Sequence, residues 1–240
     1  PLAASRIEVY RGANAMEYGS ATLGGGINFV APTGYDAPKL TTRVEYGSFE
    51  SVRLQLATAG VYGKVDYYAS ASHFSQDGYR NHSKQENQRY FLNIGYRLNP
   101  SLETRFYLTY VKTKSELPGN LTKEELESDS RQAQRNAFFK PFDYVDSNWE
   151  RNFRLFRIAN RTTWVDDNQK LTLNTFWAHK SLDHPILFVI DQLSNDFGLS
   201  LRYDYTGEIA ERQNRLTFGV SPSWGIMEDN RFNNALGQRA

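Results

Sequence analysis

This 240-residue chain contains no cysteine, only two methionines and eight prolines, and its 28 basic and 27 acidic residues leave a formal net charge of +1. Without cysteine there is no disulfide framework, no thiolate nucleophile and no thiolate metal site, although the compartment stays open. The even charge balance gives no reason to expect nucleic acid or another polyanion as partner. Long hydrophobic runs are missing as well. The longest, Ile186 to Ile190, falls far short of the roughly 18 to 20 residues that a membrane-crossing helix needs. No signal peptide is visible and the first residue is Pro1. Catalytic signatures are absent too. His73, His82, His179 and His184 have no ligand spacing, and there is no Gly-x-Ser-x-Gly elbow. Asp166-Asp167 reads as a turn, where Asp favours the local geometry. Glu124-Glu125, with Glu127 and Asp129 following, reads as the acidic start of a helix. Neither an enzyme, nor a metal site, nor a cofactor is expected.

What the chain does have is aromatic residues, 15 Phe, 15 Tyr and 4 Trp, and a period of two. From Lys39 onward about nine segments alternate: 39–49, 51–59, 64–74, 88–98, 102–112, 154–165, 170–180, 197–205 and 215–224. In the clearest, Tyr90, Leu92, Ile94, Tyr96 and Leu98 share one face, while Arg89, Phe91, Asn93, Gly95 and Arg97 share the other. Segments of 9 to 11 residues are what a tilted strand needs to cross a bilayer. Alternation of apolar and polar residues reconciles a negative mean hydropathy with a membrane wall. Short turns at 47–50, 60–63, 99–101, 166–169 and 206–212 contrast with long segments at 75–87, 113–150, 181–196 and after Gly225. That sorting is the pattern of an outer-membrane barrel. Its inward positions, Asn93 for instance, are expected to tolerate a charge that Ile94 would not.

The opening stretch, RIEVYRGANAMEYGSATLGGGINFVAPTG, is dense in small residues that permit close backbone approach. From Ile7 to Asn28 it resembles the end of the plug domain of TonB-dependent outer-membrane receptors. In that family the plug closes with IEVxRGPxxxxYGxxxxGGxIN; here Ala13 stands in place of the proline. The resemblance implies an all-β fold: a transmembrane antiparallel β-barrel preceded by the end of a plug, with residues 1–34 as plug and 35–240 as wall and loops. About nine of 22 strands would be present. It implies a fragment, with Gln238-Arg239-Ala240 forming no terminal aromatic strand. It also implies active uptake of a ferric siderophore or ferric citrate across the bacterial cell outer membrane. The TonB complex of the inner membrane, outer-membrane lipid and lipopolysaccharide are the implied partners, and a monomer the implied state. Arg11, in the matched Arg-Gly pair, would lie at the plug–barrel interface against barrel carboxylates. Two other readings stay open: a passive porin or adhesin barrel, and a soluble carbohydrate-binding β-protein.

The longest segment, Thr113 to Glu150, predicts a helix, because Thr122 and Glu125 form a capping box, and the helix is expected to end near Arg135. Around LPGNLT and DSRQAQR it resembles the loop of ferric-citrate-type receptors. Anionic chelates suit arginine forks. The candidate ligand-binding residues are therefore Arg131, Gln134, Arg135, Phe138, Phe139 and Tyr144, with Arg80 and His82 from the preceding loop, which also holds Lys84. A solvated cover over the membrane is the alternative.

Overall fold

The computed structural model describes residues 4–12, 24–136, 138, 142–209 and 211–240, with Ile209 as backbone alone. Two strands near the start, β1 (Arg6–Tyr10) and β2 (Gly26–Val30), form a small antiparallel sheet. Residues 31–39 lead from it into the main sheet. That sheet is an antiparallel meander: β3 (Leu40–Gly47), β4 (Ser51–Tyr62), β5 (Val65–Gln76), β6 (Gln85–Asn99), β7 (Leu102–Glu116), β8 (Glu150–Asp166), β9 (Gln169–Pro185) and β10 (Phe188–Ile209), each paired with the next.

After β10 the chain returns as β11 (Arg212–Val220) and β12 (Ser223–Ala235), and β13 (Gln238–Arg239) begins one further pairing. One register runs unbroken from Ile209↔Arg212 through Leu201↔Val220 and Gly198↔Ser223 to Phe188↔Asn233, so β11 and β12 are a single strand. The break is Pro222. Its carbonyl accepts the Leu199 N–H at 3.0 Å, but it has no N–H to return. Counted this way, nine strands make the wall among the described residues, as the alternation predicts.

The two faces of the wall differ as the sequence pattern requires. Leu54, Leu56, Ile94, Phe106, Ile158, Phe218 and Ile226 stand exposed on one face. The other buries Ala57, Ala59 and Tyr68, with Ala37 and Phe91 packed on them. So large an apolar outer face suits lipid rather than water. One end of the sheet carries only tight connections, between Tyr62 and Val65, Asn99 and Leu102, Asp166 and Gln169, and Ile209 and Arg212. The opposite end carries the two long ones, 77–84 and 117–149, beside the short 48–50 and 186–187, and strands reach progressively further toward it. From β3 to β10 their lengths run 8, 12, 12, 15, 15, 17, 17 and 22 residues.

Three expectations are corrected. Residues 181–196 are not a loop: β9 and β10 continue through them, and only Ile186 and Leu187 separate the strands. The residues after Gly225 likewise belong to β12. Asp191 to Asp196 and the stretch from Glu228 on are largely polar because strand above the lipid band needs no apolar face, and this polarity imitates a loop. The helix α1 (Lys123–Ser128) has the expected capping box but stops at Ser128, well before Arg135. Asp129 ends it in an extended conformation, and Gln132 Nε2 bonds the Glu125 carbonyl as the chain turns away.

Candidate functional site

Two places converge on polar chemistry, one at each end of the wall. At the tight-turn end, the lead-in 31–39 lies on the inner face. Thr33 opens a turn whose N–H and hydroxyl both bond Asp36, and the Ala37 N–H returns to the Thr33 carbonyl at 3.2 Å. Three strands then hold it. Arg105 of β7 grips Asp66 of β5 with two parallel bonds of 2.8 and 2.6 Å, and its guanidinium also donates to Asn93 of β6 at 2.8 Å and Glu103 at 3.2 Å. Asp66 in turn accepts the Gly34 N–H at 3.0 Å, and Asn93 donates to the Pro32 carbonyl. The Ala59 N–H bonds the Lys39 carbonyl at 3.1 Å, and Arg97 lies 5.3 Å above the Tyr35 ring.

Asp66, Asn93 and Arg105 are all buried. An ion pair out of water persists only when its remaining donors and acceptors are satisfied, and here the lead-in backbone supplies part of that satisfaction. Gly95 makes room: a Cβ there would collide with the Arg105 guanidinium and the Asp66 carboxylate. Gly34 is constrained too, since its Cβ would strike the Gly60 carbonyl. Asn93 is thus no tolerant inward position. It is fully buried and makes bonds to two partners, which corrects the expectation from alternation.

At the opposite end, residues 77–84 dock onto 117–149. The Arg80 guanidinium donates to the carbonyls of Gln132 (3.0 Å), Pro118 (3.0 Å) and Gly119 (2.5 Å). His82, with φ of 55°, places Nε2 3.0 Å from the Trp149 carbonyl and Nδ1 3.9 Å from Glu116. The Gln134 side chain accepts the Asn120 N–H at 3.1 Å. Arg135 is held between Asp143 (3.0 Å) and Asp146 (2.6 Å), and buried Asp143 also accepts the N–H groups of Asn136, Val145 and Asp146. The Tyr144 ring lies 3.7 Å from that of Trp149, and burial raises the Tyr144 hydroxyl pKa.

The structure therefore brings the sequence candidates together, but gives most of them work inside the loops. Arg80 and His82 fasten residues 77–84 to 117–149, whereas Gln134, Arg135 and Tyr144 make their contacts within 117–149. Arg131 stays at the surface, with Nε 3.3 Å from the Tyr79 carbonyl and its guanidinium 5.6 Å over the Tyr79 ring. Phe138 is wholly exposed. Phe139 lies outside the described residues, as do Ala13 to Leu23 of the plug-like motif. Arg11 sits exposed just beyond β1.

Sequence reasoning missed Asp66, Arg105 and Tyr79. Asp66 did leave a trace, as an isolated charge at an inward position of a strand whose inward neighbours, Tyr68, Ser70 and Ser72, are small or aromatic. Among the described residues no group of histidines and carboxylates is placed to hold a metal, and no helix is long and apolar enough to cross a membrane.

No family model matches the chain. Among solved structures it is similar to the ferric citrate transporter FecA in unliganded form, with a TM-score of 0.77 at 17% identity, covering 98% of this chain and 36% of that one. It is similar to Pseudomonas aeruginosa FpvA bound to pyoverdines, with a TM-score of 0.73 at 18% identity over 97% and 33% of the two chains. The siderophore receptor PiuA of Acinetobacter baumannii gives 0.73 at 16% identity, over 95% and 36%. The chain spans about a third of the length of these relatives. Its sheet and the small sheet leading into it have the fold of part of the TonB-dependent outer-membrane receptors.

Proposed function

We propose that residues 1–34 are the end of a plug and residues 35–240 the first part of the barrel wall of a receptor that takes up a ferric chelate, a ferric siderophore or ferric citrate, across the bacterial outer membrane. The observation that carries this reading is the join: the wall devotes a buried ion pair and an asparagine to gripping the backbone that arrives from the β1–β2 sheet. A passive porin or adhesin barrel has no plug for such a grip to hold. A soluble carbohydrate-binding protein has no use for the outward apolar face.

On this reading the inner-membrane TonB complex supplies energy through a segment upstream of residue 1, and the receptor works as a monomer amid lipid and lipopolysaccharide. Arg11 faces carboxylates at the plug–barrel interface. At the mouth, Arg131 with the Tyr79 ring and Phe138 meet the anionic chelate. Arg80, His82, Gln134, Arg135 and Tyr144 belong to the platform that carries them, and Phe139 is a further candidate contact for the chelate. The test is uptake of radioactive iron, as citrate and as a catecholate complex, by iron-starved cells expressing the complete receptor with and without TonB. Uptake of either chelate that vanishes without TonB supports the reading; uptake of both that ignores TonB refutes it.

A further inference from the structure

On the outward face of the wall, Lys112 of β7 lies directly opposite Arg154 of β8. Like charges facing each other across strands repel, and the register row that holds them, Gln88–Lys112–Arg154–Ser181, contains no carboxylate. The carboxylates nearby are engaged. Glu150 pairs with Lys114 at 3.3 Å, Asp183 and Asp191 share Arg239 at 3.4 and 2.7 Å, and Glu86 accepts from Gln88 at 2.9 Å. Among the described residues Lys112 and Arg154 have no ion-pair partner. They line a groove of about 370 Å³ in which four basic side chains, Lys112, Lys114, Arg154 and Arg239, meet two acidic ones, both already taken by Arg239.

The height of this pair matters as much as its charge. The outward row immediately beneath it is aromatic, Tyr90–Tyr110–Phe156, with the two tyrosine rings 6.0 Å apart. The other aromatic margin is Trp164, opposite Leu102 at the tight-turn end. Ten residues along each strand separate that margin from the cations. At ~3.3 Å per residue and ~40° of tilt this is roughly 25 Å, the height of the apolar band of such barrels. The two cations therefore stand where acyl chains end and headgroups begin, on the leaflet that faces the long loops.

We propose that Lys112 and Arg154 form a binding site for a phosphate-bearing lipid headgroup of the outer leaflet. The phosphate would sit between the two cations and relieve their repulsion, the Arg154 fork taking two oxygens, while the acyl chains run down over Tyr110 and Phe156. Fixed basic groups at a membrane surface attract anionic lipid by this chemistry. The site rests on the reading of the sheet as a membrane wall.

The test takes the complete receptor reconstituted with bisphosphorylated lipid A or with its dephosphorylated form, and counts retained lipid by native mass spectrometry. Heat-modifiable migration reports the barrel separately. Lys112→Gln/Arg154→Gln should cut retention of the phosphorylated form about thirtyfold, roughly fivefold for each cation, and leave the dephosphorylated form and the migration unchanged. If the double variant fails to assemble, Arg154→Gln alone should show the fivefold loss. Unchanged retention overturns the site. So does displacement of the lipid by millimolar inorganic phosphate, which would assign the cations to a free anion. Loss of heat-modifiable migration in the unmodified receptor would instead overturn the membrane-wall reading beneath it.

Discussion

The lead-in anchor and the outer loop platform both use arginine to hold backbone, yet they distribute the task differently. Arg105 works through a buried carboxylate, so one ion pair of 7% and 2% side-chain exposure controls the geometry of a whole segment. Arg80 instead donates straight to three carbonyls, and its neighbours His82, Gln134 and Arg135 each add a separate fastening. The first arrangement concentrates stability in a few atoms; the second spreads it over a surface. A concentrated anchor defines a fixed point, and a spread one allows a platform to survive changes at any single contact.

The sharpest break in that comparison is Asp66→Ala in the complete receptor. It leaves Arg105 buried without its partner, a loss of about 3–5 kcal/mol, and frees the Gly34 N–H. Rapid proteolysis between Val30 and Lys39 and a lowered urea midpoint should report it. Gly95→Ala should act in the same direction by pushing the pair apart.

Ile94→Arg comes next, at about 2–4 kcal/mol for a cation on the lipid face near mid-membrane. Asn93→Arg should be comparably severe, because it destroys the anchor from inside. Thr163→Arg, inward and directly opposite Glu103, should be mild. Equal damage from Ile94→Arg and Thr163→Arg, measured by assembly yield and heat-modifiable migration, would refute the assignment of faces.

At the platform, Arg80→Ala removes hydrogen bonds from a charged donor and should cost about 1–3 kcal/mol of loop stability, visible as faster amide exchange in residues 117–134. Arg131→Ala removes an exposed cation–π contact, and should cost the fold less than about 1 kcal/mol. It should nonetheless weaken chelate binding, most at low salt. Binding that falls with Arg80→Ala but not with Arg131→Ala would show that Arg131 makes no direct contact.

The smallest effect lies in the β1–β2 sheet. Glu8 takes hydrogen bonds from Arg6, Asn28 and Tyr10, which hold its pKa below the usual glutamate value. Because the folded value is the lower one, the stabilisation is present above the ordinary glutamate pKa and fades as pH falls through the depressed one. Protection of the β1 amides against exchange, taken relative to the intrinsic rate, should therefore fall as pH drops below the ordinary glutamate value, and Glu8→Gln should remove that dependence.

Much of the wall was legible from residues 88–112, where a lipid-facing strand must alternate and a two-residue turn such as Pro100-Ser101 must interrupt it. Legibility ended where lipid does. Asp191 to Asn195 and Glu228 to Asn234 are strand in spite of their polarity, since water solvates both faces of a strand above the membrane. For the sites, the sequence grouped Arg80, His82, Arg131 and Arg135, whose two segments lie against each other. It did not reveal that most of these charges bind backbone, because a carbonyl acceptor leaves no mark in side-chain identity. The Asp66–Arg105 pair was hidden for another reason: its partners are 39 residues apart and meet only once the register is set.

The graded strand lengths give the molecule a slanted rim. β10 exceeds β4 by ten residues, which at ~3.3 Å per residue and ~40° of tilt raises the tip near Ile186 roughly 25 Å above the turn at Ser48. A small solute diffuses to the lumen from any side of such a rim. A particle the size of an antibody or a phage tail touches the tall hairpin long before it reaches the low one, so the same rim is open in all directions to small solutes and one-sided to macromolecules.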